Sequence, residues 1–244
     1  MNIFVAGATG VIGRRLVPLL RDAGHLVTGA TRFPEKAAAL EALGVRSTVL
    51  DVLDARALLK AVYASHPDII IHQLTDLPPA PPETARMHEV LERNAQLREQ
   101  GTRNLMAAAA MAGAKRVIAQ SIAFAYAAGS GPRVESDPFE GQERGEPIVT
   151  ARGALALEQQ VQNAPQMQGI VLRYGRLYGP GTWRAEAEGP APLHVDAAAH
   201  AAFLAVTGGA PGIYNIAEED GYASIDKARR ELGFDPNFRM ISRC

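Results

Sequence analysis

Short apolar runs alternate along this chain with segments of helical period, and that alternation constrains the fold more than any other feature. "NIFVA" (2–6) reads as a strand. Residues 11–24 read as a helix, with Leu16, Leu19 and Leu20 on one face and Gly24 as its stop. The pattern repeats as a strand over 25–30 and a helix over 34–44 that opens on Pro34 and closes on Gly44. It repeats again as a strand over 45–51 and a helix over 54–65 capped by Asp54. "DIIIHQL" (68–74) is apolar nearly throughout, as a strand buried on both faces must be. A helical region over 83–112, a strand over 116–121, a helix over 149–163 and a strand over 169–174 complete the series. Repeated βα units with apolar strands predict an α/β protein, a Rossmann-type doubly wound parallel sheet with right-handed crossovers.

In such a sheet ligands lie at the carboxyl ends of the strands. Two irregular stretches fall there: the Pro-rich "LPPAPPE" (77–83) and the polar loop 127–147. Composition narrows the rest. The 244 residues carry a formal net charge of −1 with signs interspersed, which gives no footing for nucleic acid. No apolar run reaches the roughly 20 residues a membrane span needs. The only cysteine is Cys244, so a disulfide framework or a cysteine zinc site within one chain is excluded. No charged segment precedes the first strand, so no signal peptide is read there. A cytoplasmic setting is the expectation.

Gly7, Gly10 and Gly13 are spaced G-x-x-G-x-x-G between the first strand and the first helix. That context turns a weak pattern into a dinucleotide-binding turn. The glycines let the backbone turn tightly and approach a pyrophosphate, while the helix start supplies N–H groups and partial positive charge. Thr9, Val11 and Ile12 would add donors. After the second strand stands Arg32, with no acid before Glu35. An acid there would take the ribose hydroxyls of NAD, whereas a cation suits a 2′-phosphate, so NADP is favoured with NAD as the alternative. A solvated surface arginine is the plainer reading of Arg32.

"VAGATGVIG" (5–13), "LDVLD" (50–54), "IIHQL" (70–74), the run 93–121, "VLRYGRLYGPGT" (171–182) and "HVDAAAHA" (194–201) follow one another as in the extended short-chain dehydrogenase/reductase superfamily. The chain resembles its NAD-dependent epimerase/dehydratase branch. The resemblance implies that Asp51 and Val52 contact adenine and that Leu74 and Thr75 line the ribose and pyrophosphate side. It implies support from Asn94, Gln120 and Ser121 beneath the nicotinamide, and Tyr174 with Gly175 beside it. It implies a small-molecule substrate, and a possible homodimer through 83–112 and 149–163. It also implies two domains: a Rossmann domain over 1–178 and a reduced substrate lobe over 179–244, with 194–216 packing back on the Rossmann core. Connections after the sixth strand look shortened against the family, and Trp183 and Arg184 stand where substrate contacts would come.

One departure is decisive for chemistry. The family's catalytic signature is Tyr-x-x-x-Lys, the tyrosine acting as acid or base and the lysine lowering its pKa. Taking Glu158 as the glutamate that follows this signature puts Thr150 at the tyrosine position and Ala154 at the lysine position. The four lysines are Lys36, Lys60, Lys115 and Lys227, and none stands four residues after a tyrosine. Ser121 and Tyr126 remain as candidate catalytic hydroxyls, weighed against a strand-end turn serine and a packed aromatic. His72, on an apolar strand, reads as a core histidine. A metal site from His194, Asp196 and His200 is set aside, since the family uses none there. The expected function is an NAD(P)-binding oxidoreductase or epimerase-like enzyme on a small substrate that needs little proton transfer. The alternative is a non-catalytic NADP(H) sensor or partner-binding module.

Overall fold

The computed structural model describes residues 1–240. Cys244 lies outside the described residues. The sheet has seven parallel strands in the order β3-β2-β1-β4-β5-β6-β9. These are β1 (Asn2–Ala6), β2 (Leu26–Thr31), β3 (Arg46–Val49), β4 (Ile69–His72), β5 (Arg116–Ile122), β6 (Gln168–Tyr174) and β9 (Gly212–Ile216). The order reverses between β1 and β4, so a crevice opens there at the strands' carboxyl ends.

Side chains alternate across the strands, and the alternation builds two cores. Ile3, Val5, Ile71, Ile118 and Leu172 point to one face, and Phe4, Ala6, Ile70, Ala119 and Val171 to the other. On the first face lie α1 (Gly13–Asp22), α2 (Pro34–Ala42), α7 (Val195–Leu204) and α8 (Asp226–Leu232). On the second lie α3 (Ala55–Ser65) and α5 (Thr102–Ala112). Two further helices, α4 (Thr84–Gln96) and α6 (Val149–Gln162), pack on each other. Their approach is close: a Cβ on Gly153 would stand 2.7 Å from the Ala95 Cα.

Three features depart from the sequence expectation. The helical region 83–112 is broken by a π-helical segment, Leu97–Gly101. Its wider turn keeps Gly101 against Val52 and Leu97 and turns Arg98 into the interior. The segment 212–216, expected to pack back on the Rossmann core but not read as a strand, joins the sheet as β9 beside β6. A separate two-stranded parallel ladder, β7 (Arg176–Tyr178) with β8 (Pro192–His194), carries the chain into α7. At that helix start the cap is the His194 ring, whose Nδ1 accepts the Asp196 amide at 3.2 Å. Among the described residues no helix is long and apolar enough to cross a membrane.

Candidate active site

The glycine turn closes β1 onto α1. The Gly10 amide donates to the Gly7 carbonyl, and the Arg14 amide to the Gly10 carbonyl, both at 3.0 Å. Gly7 has φ +89°, where only glycine rests without strain, and a Cβ there would meet the Gln73 carbonyl at 2.6 Å. A Cβ on Gly13 would stand 2.2 Å from the Gly7 oxygen. The cradle therefore exists only because side chains are absent, which is what close approach of a pyrophosphate asks for. Thr9 Oγ1 hydrogen-bonds Thr31 Oγ1 at 2.9 Å, tying the turn to the end of β2. Val11 is half-buried and Ile12 is buried.

Past β2 the Arg32 guanidinium lies 5.0 Å over the Phe33 ring, with the Lys36 ammonium 4.2 Å from that ring. Arg32 Nη2 donates to Asp76 Oδ1 at 2.7 Å. Asp76 also accepts from Arg93 Nε, and its amide donates to Asn94 Oδ1. Trp183 Nε1 donates to the Pro78 carbonyl at 2.8 Å. The Pro-rich loop after β4 is thus fastened on two sides, and sequence reasoning missed Asp76 as the fastening. Asp51 is exposed and caps the Leu53 amide, while Val52 is buried and its carbonyl accepts Asn104. Leu74 and Thr75 are half-buried.

Under the carboxyl ends of β4, β5 and β6 lies a buried polar layer. Ser121 Oγ donates to Glu158 Oε1 at 2.6 Å. Arg173 grips the same carboxylate with two bonds, Nε to Oε1 at 2.8 Å and Nη2 to Oε2 at 2.7 Å. Arg173 Nη1 donates to the Tyr126 hydroxyl at 2.7 Å, and that hydroxyl donates to Asn215 Oδ1 at 2.6 Å. Burial pushes the Tyr126 pKa up to about 12. Burial also raises Tyr174, whose hydroxyl accepts Gln73 Nε2 at 3.3 Å. Gln120 is buried. Ala154 is fully buried and Thr150 half-buried.

Two polar groups of this layer lack partners: Gln73 Oε1, and the Nε and Nη1 of Arg98. Burial pulls the Arg98 pKa down to about 10, with Glu158 opposing. The sequence held one signal for Arg98. It falls a turn from Asn94 on the inward side of an otherwise amphipathic helix. His72 is a core histidine, as expected, with Nε2 3.0 Å from Thr102 Oγ1. Burial, with Arg98 adding to it, holds its pKa down at about 3 against an ordinary 6.5. The unfolded chain takes up that proton near pH 6.5 and the folded chain only near pH 3. The His72 contribution is therefore complete above 6.5 and is lost as pH falls toward 3, at up to about 1.4 kcal/mol per pH unit. His72→Gln should flatten the fall in urea-unfolding free energy between about pH 7 and about pH 5. An unchanged slope would contradict this account of the ring.

No cluster of metal-ligating side chains occurs among the described residues. The sequence profile of the NAD dependent epimerase/dehydratase family matches residues 3–206. The chain belongs to that family. Among curated relatives, a "3-diazoavenalumate denitrifying reductase" from Streptomyces sp is 38% identical over 247 residues, spanning 90% of this chain and 77% of the relative. Solved structures share the fold. A UDP-glucose 4-epimerase with UDP-glucose from Thermotoga maritima superposes with TM-score 0.78 at 18% identity, covering 98% of this chain and 94% of the other. A dTDP-glucose 4,6-dehydratase double mutant from Streptomyces venezuelae, with NAD bound, superposes with TM-score 0.75 at 19% identity, covering 98% and 92%. As a member of the epimerase/dehydratase family the chain is an oxidoreductase-type protein on a Rossmann scaffold, and its glycine cradle fits the dinucleotide.

Proposed function

We propose that this chain is a nicotinamide-dependent reductase whose hydride acceptor needs no proton from the protein, of the aryldiazonium class. The proposal is carried by the absence of any Tyr-x-x-x-Lys from the sequence beside an intact glycine cradle, with Thr150 and Ala154 in this reading standing at the proton-handling positions. The denitrifying reductase among its relatives, by its name, acts on a diazo compound and removes nitrogen. An aryldiazonium is already cationic, and its leaving group is N2. Hydride addition there forms one C–H bond and breaks one C–N bond with no proton required. Epimerases and dehydratases, by contrast, must move a proton at a hydroxyl.

When bound, the dinucleotide supplies the hydride, and this chain's residues bind and orient it. Gly7, Gly10 and Gly13, with Thr9, Val11 and Ile12, hold the pyrophosphate. Arg32, backed by Lys36, takes the 2′-phosphate of NADP, with Asp76 yielding its bond. Asp51 and Val52 flank adenine, Leu74 and Thr75 the ribose, and Gln120 and Tyr174 the nicotinamide end. The hydroxyls of Ser121 and Tyr126 orient that floor through Glu158 and Arg173 in this reading, and the substrate lobe is drawn from 179–244.

Calorimetric titration with NADPH, NADP⁺, NADH and NAD⁺ tests the cofactor part. The phosphorylated forms are expected to bind at least about 10-fold tighter, a difference of about 1.4 kcal/mol. Arg32→Glu should abolish that preference. Equal affinity for NADH and NADPH in the wild type would overturn the NADP assignment, and no binding of any of the four would overturn the reductase.

A further inference from the structure

Arg176 opens β7, two residues beyond the end of β6. Its guanidinium makes no hydrogen bond or ion pair among the described residues, and its Nε is buried without an acceptor. The guanidinium lies 4.6 Å over the ring of Phe124, two residues beyond the end of β5. Arg184 acts on it as a like charge, and Tyr222, beyond β9, is near enough to act on it with the opposite sign. Arg184 already holds Glu188, Nη1 to Oε2 at 2.8 Å. Arg176 is thus a half-buried cation beside another cation, with an aromatic face beneath it and no anion against it.

Its place in the sheet says which ligand it would meet. The adenosine end of a dinucleotide belongs at β2 and β3, on one side of the glycine turn. Phe124, Arg176 and Tyr222 follow β5, β6 and β9, on the opposite side. That is the substrate's side. A buried guanidinium nitrogen without an acceptor is costly, and a carboxylate answers it with charge-assisted bonds. A guanidinium stacked on a ring extends a flat surface, which suits a planar conjugated acid.

We infer that Arg176, stacked on Phe124 at the substrate end of the site, binds the carboxylate of a planar aromatic acid. The inference rests on the reductase reading for the molecule that carries this carboxylate, and it names the substrate class more closely: an aryldiazonium that is also a carboxylate.

The test is binding of cinnamate against cinnamamide, which share shape and differ in charge, followed by calorimetry without turnover. Wild type should bind cinnamate at least about 10-fold tighter, the range of one charge-assisted bond. Arg176→Gln should erase the difference and Arg176→Lys should restore part of it. Equal binding of acid and amide by wild type, or no binding of cinnamate, overturns the inference. So does a preference that survives in a folded Arg176→Gln, with folding checked by circular dichroism. Equal binding by wild type needs no variant to overturn the inference, and Arg176→Lys, which keeps the charge, keeps the assignment testable if Arg176→Gln does not fold. Because it reads neither NADPH binding nor hydride transfer, failure of the reductase reading and failure of this site show up in different measurements.

Discussion

Glu158→Gln is expected to cost about 3–5 kcal/mol of folding stability, the usual loss when one partner of a buried ion pair is removed. The Glu158 and Arg173 side chains are each 5% exposed. An amide keeps the shape and one acceptor oxygen but turns a donor toward Arg173 Nη2. Arg173 then stands buried and cationic without its counter-charge, its Nη2 bond lost and its bonds to the remaining amide oxygen, the Tyr126 hydroxyl and the Glu135 carbonyl left. Arg98, which faces the same carboxylate charge, loses the counter-charge that opposes the effect of its burial. The Ser121 hydroxyl and, through Arg173, the Tyr126 hydroxyl lose their fixed acceptor and donor geometry. Urea unfolding at neutral pH measures the change. A loss under about 1 kcal/mol, the level of a surface pair, would show that the layer does not depend on that charge.

Gly13→Ala is expected to remove nucleotide binding, with affinity falling by about 100-fold or more, or about 2.7 kcal/mol. The added methyl would lie 2.2 Å from the Gly7 carbonyl oxygen and 2.6 Å from that of Ala8. Both are backbone atoms, so the turn itself must open, and overpacking of this kind costs about 1–3 kcal/mol of stability as well. Gly10→Ala is the contrast. Its methyl would meet only the Gly7 oxygen, at 3.3 Å, and the turn can give by a few tenths of an ångström. Thermal melts with and without NADPH separate the two variants. A Gly13→Ala protein that NADPH stabilises as it does the wild type would contradict the cradle.

The sheet was legible because its signals are local. An apolar run such as 68–74 or 169–174 carries its own burial, and Pro34, Asp54 and Gly44 mark helix ends by rules that act within a turn. The strand ends were not: β4 stops at His72 because pairing stops there, although the expected strand ran on to Leu74. The π segment was hidden because 3.6-residue periodicity continues through it. β9 was missed because a five-residue run proves itself a strand only through its partner, β6, some forty residues earlier in the chain.

Within the site, the glycine turn could be read directly, since the same atoms that make the motif make the cradle. Arg32 could be read as a cation just past β2, but its tie to Asp76 joins residues 44 apart. Ser121 and Tyr126 were visible as hydroxyls at and just past the end of β5. Their partners were not, because Glu158 comes 37 residues after Ser121 and Asn215 comes 89 after Tyr126. Arg176 left no sequence signal at all. What marks it is a missing acceptor, and absence of a partner is a property of three-dimensional packing alone.

Hydride delivery without a protein acid is tested most directly by single-turnover mixing of the NADPH-loaded protein with an aryldiazonium carboxylate. NADPH oxidation should match loss of the diazonium mole for mole. Its rate should stay flat between about pH 6 and about pH 8, where a general acid or base at work would show its titration. A bell-shaped profile, or no oxidation of NADPH while the diazonium persists, would contradict it.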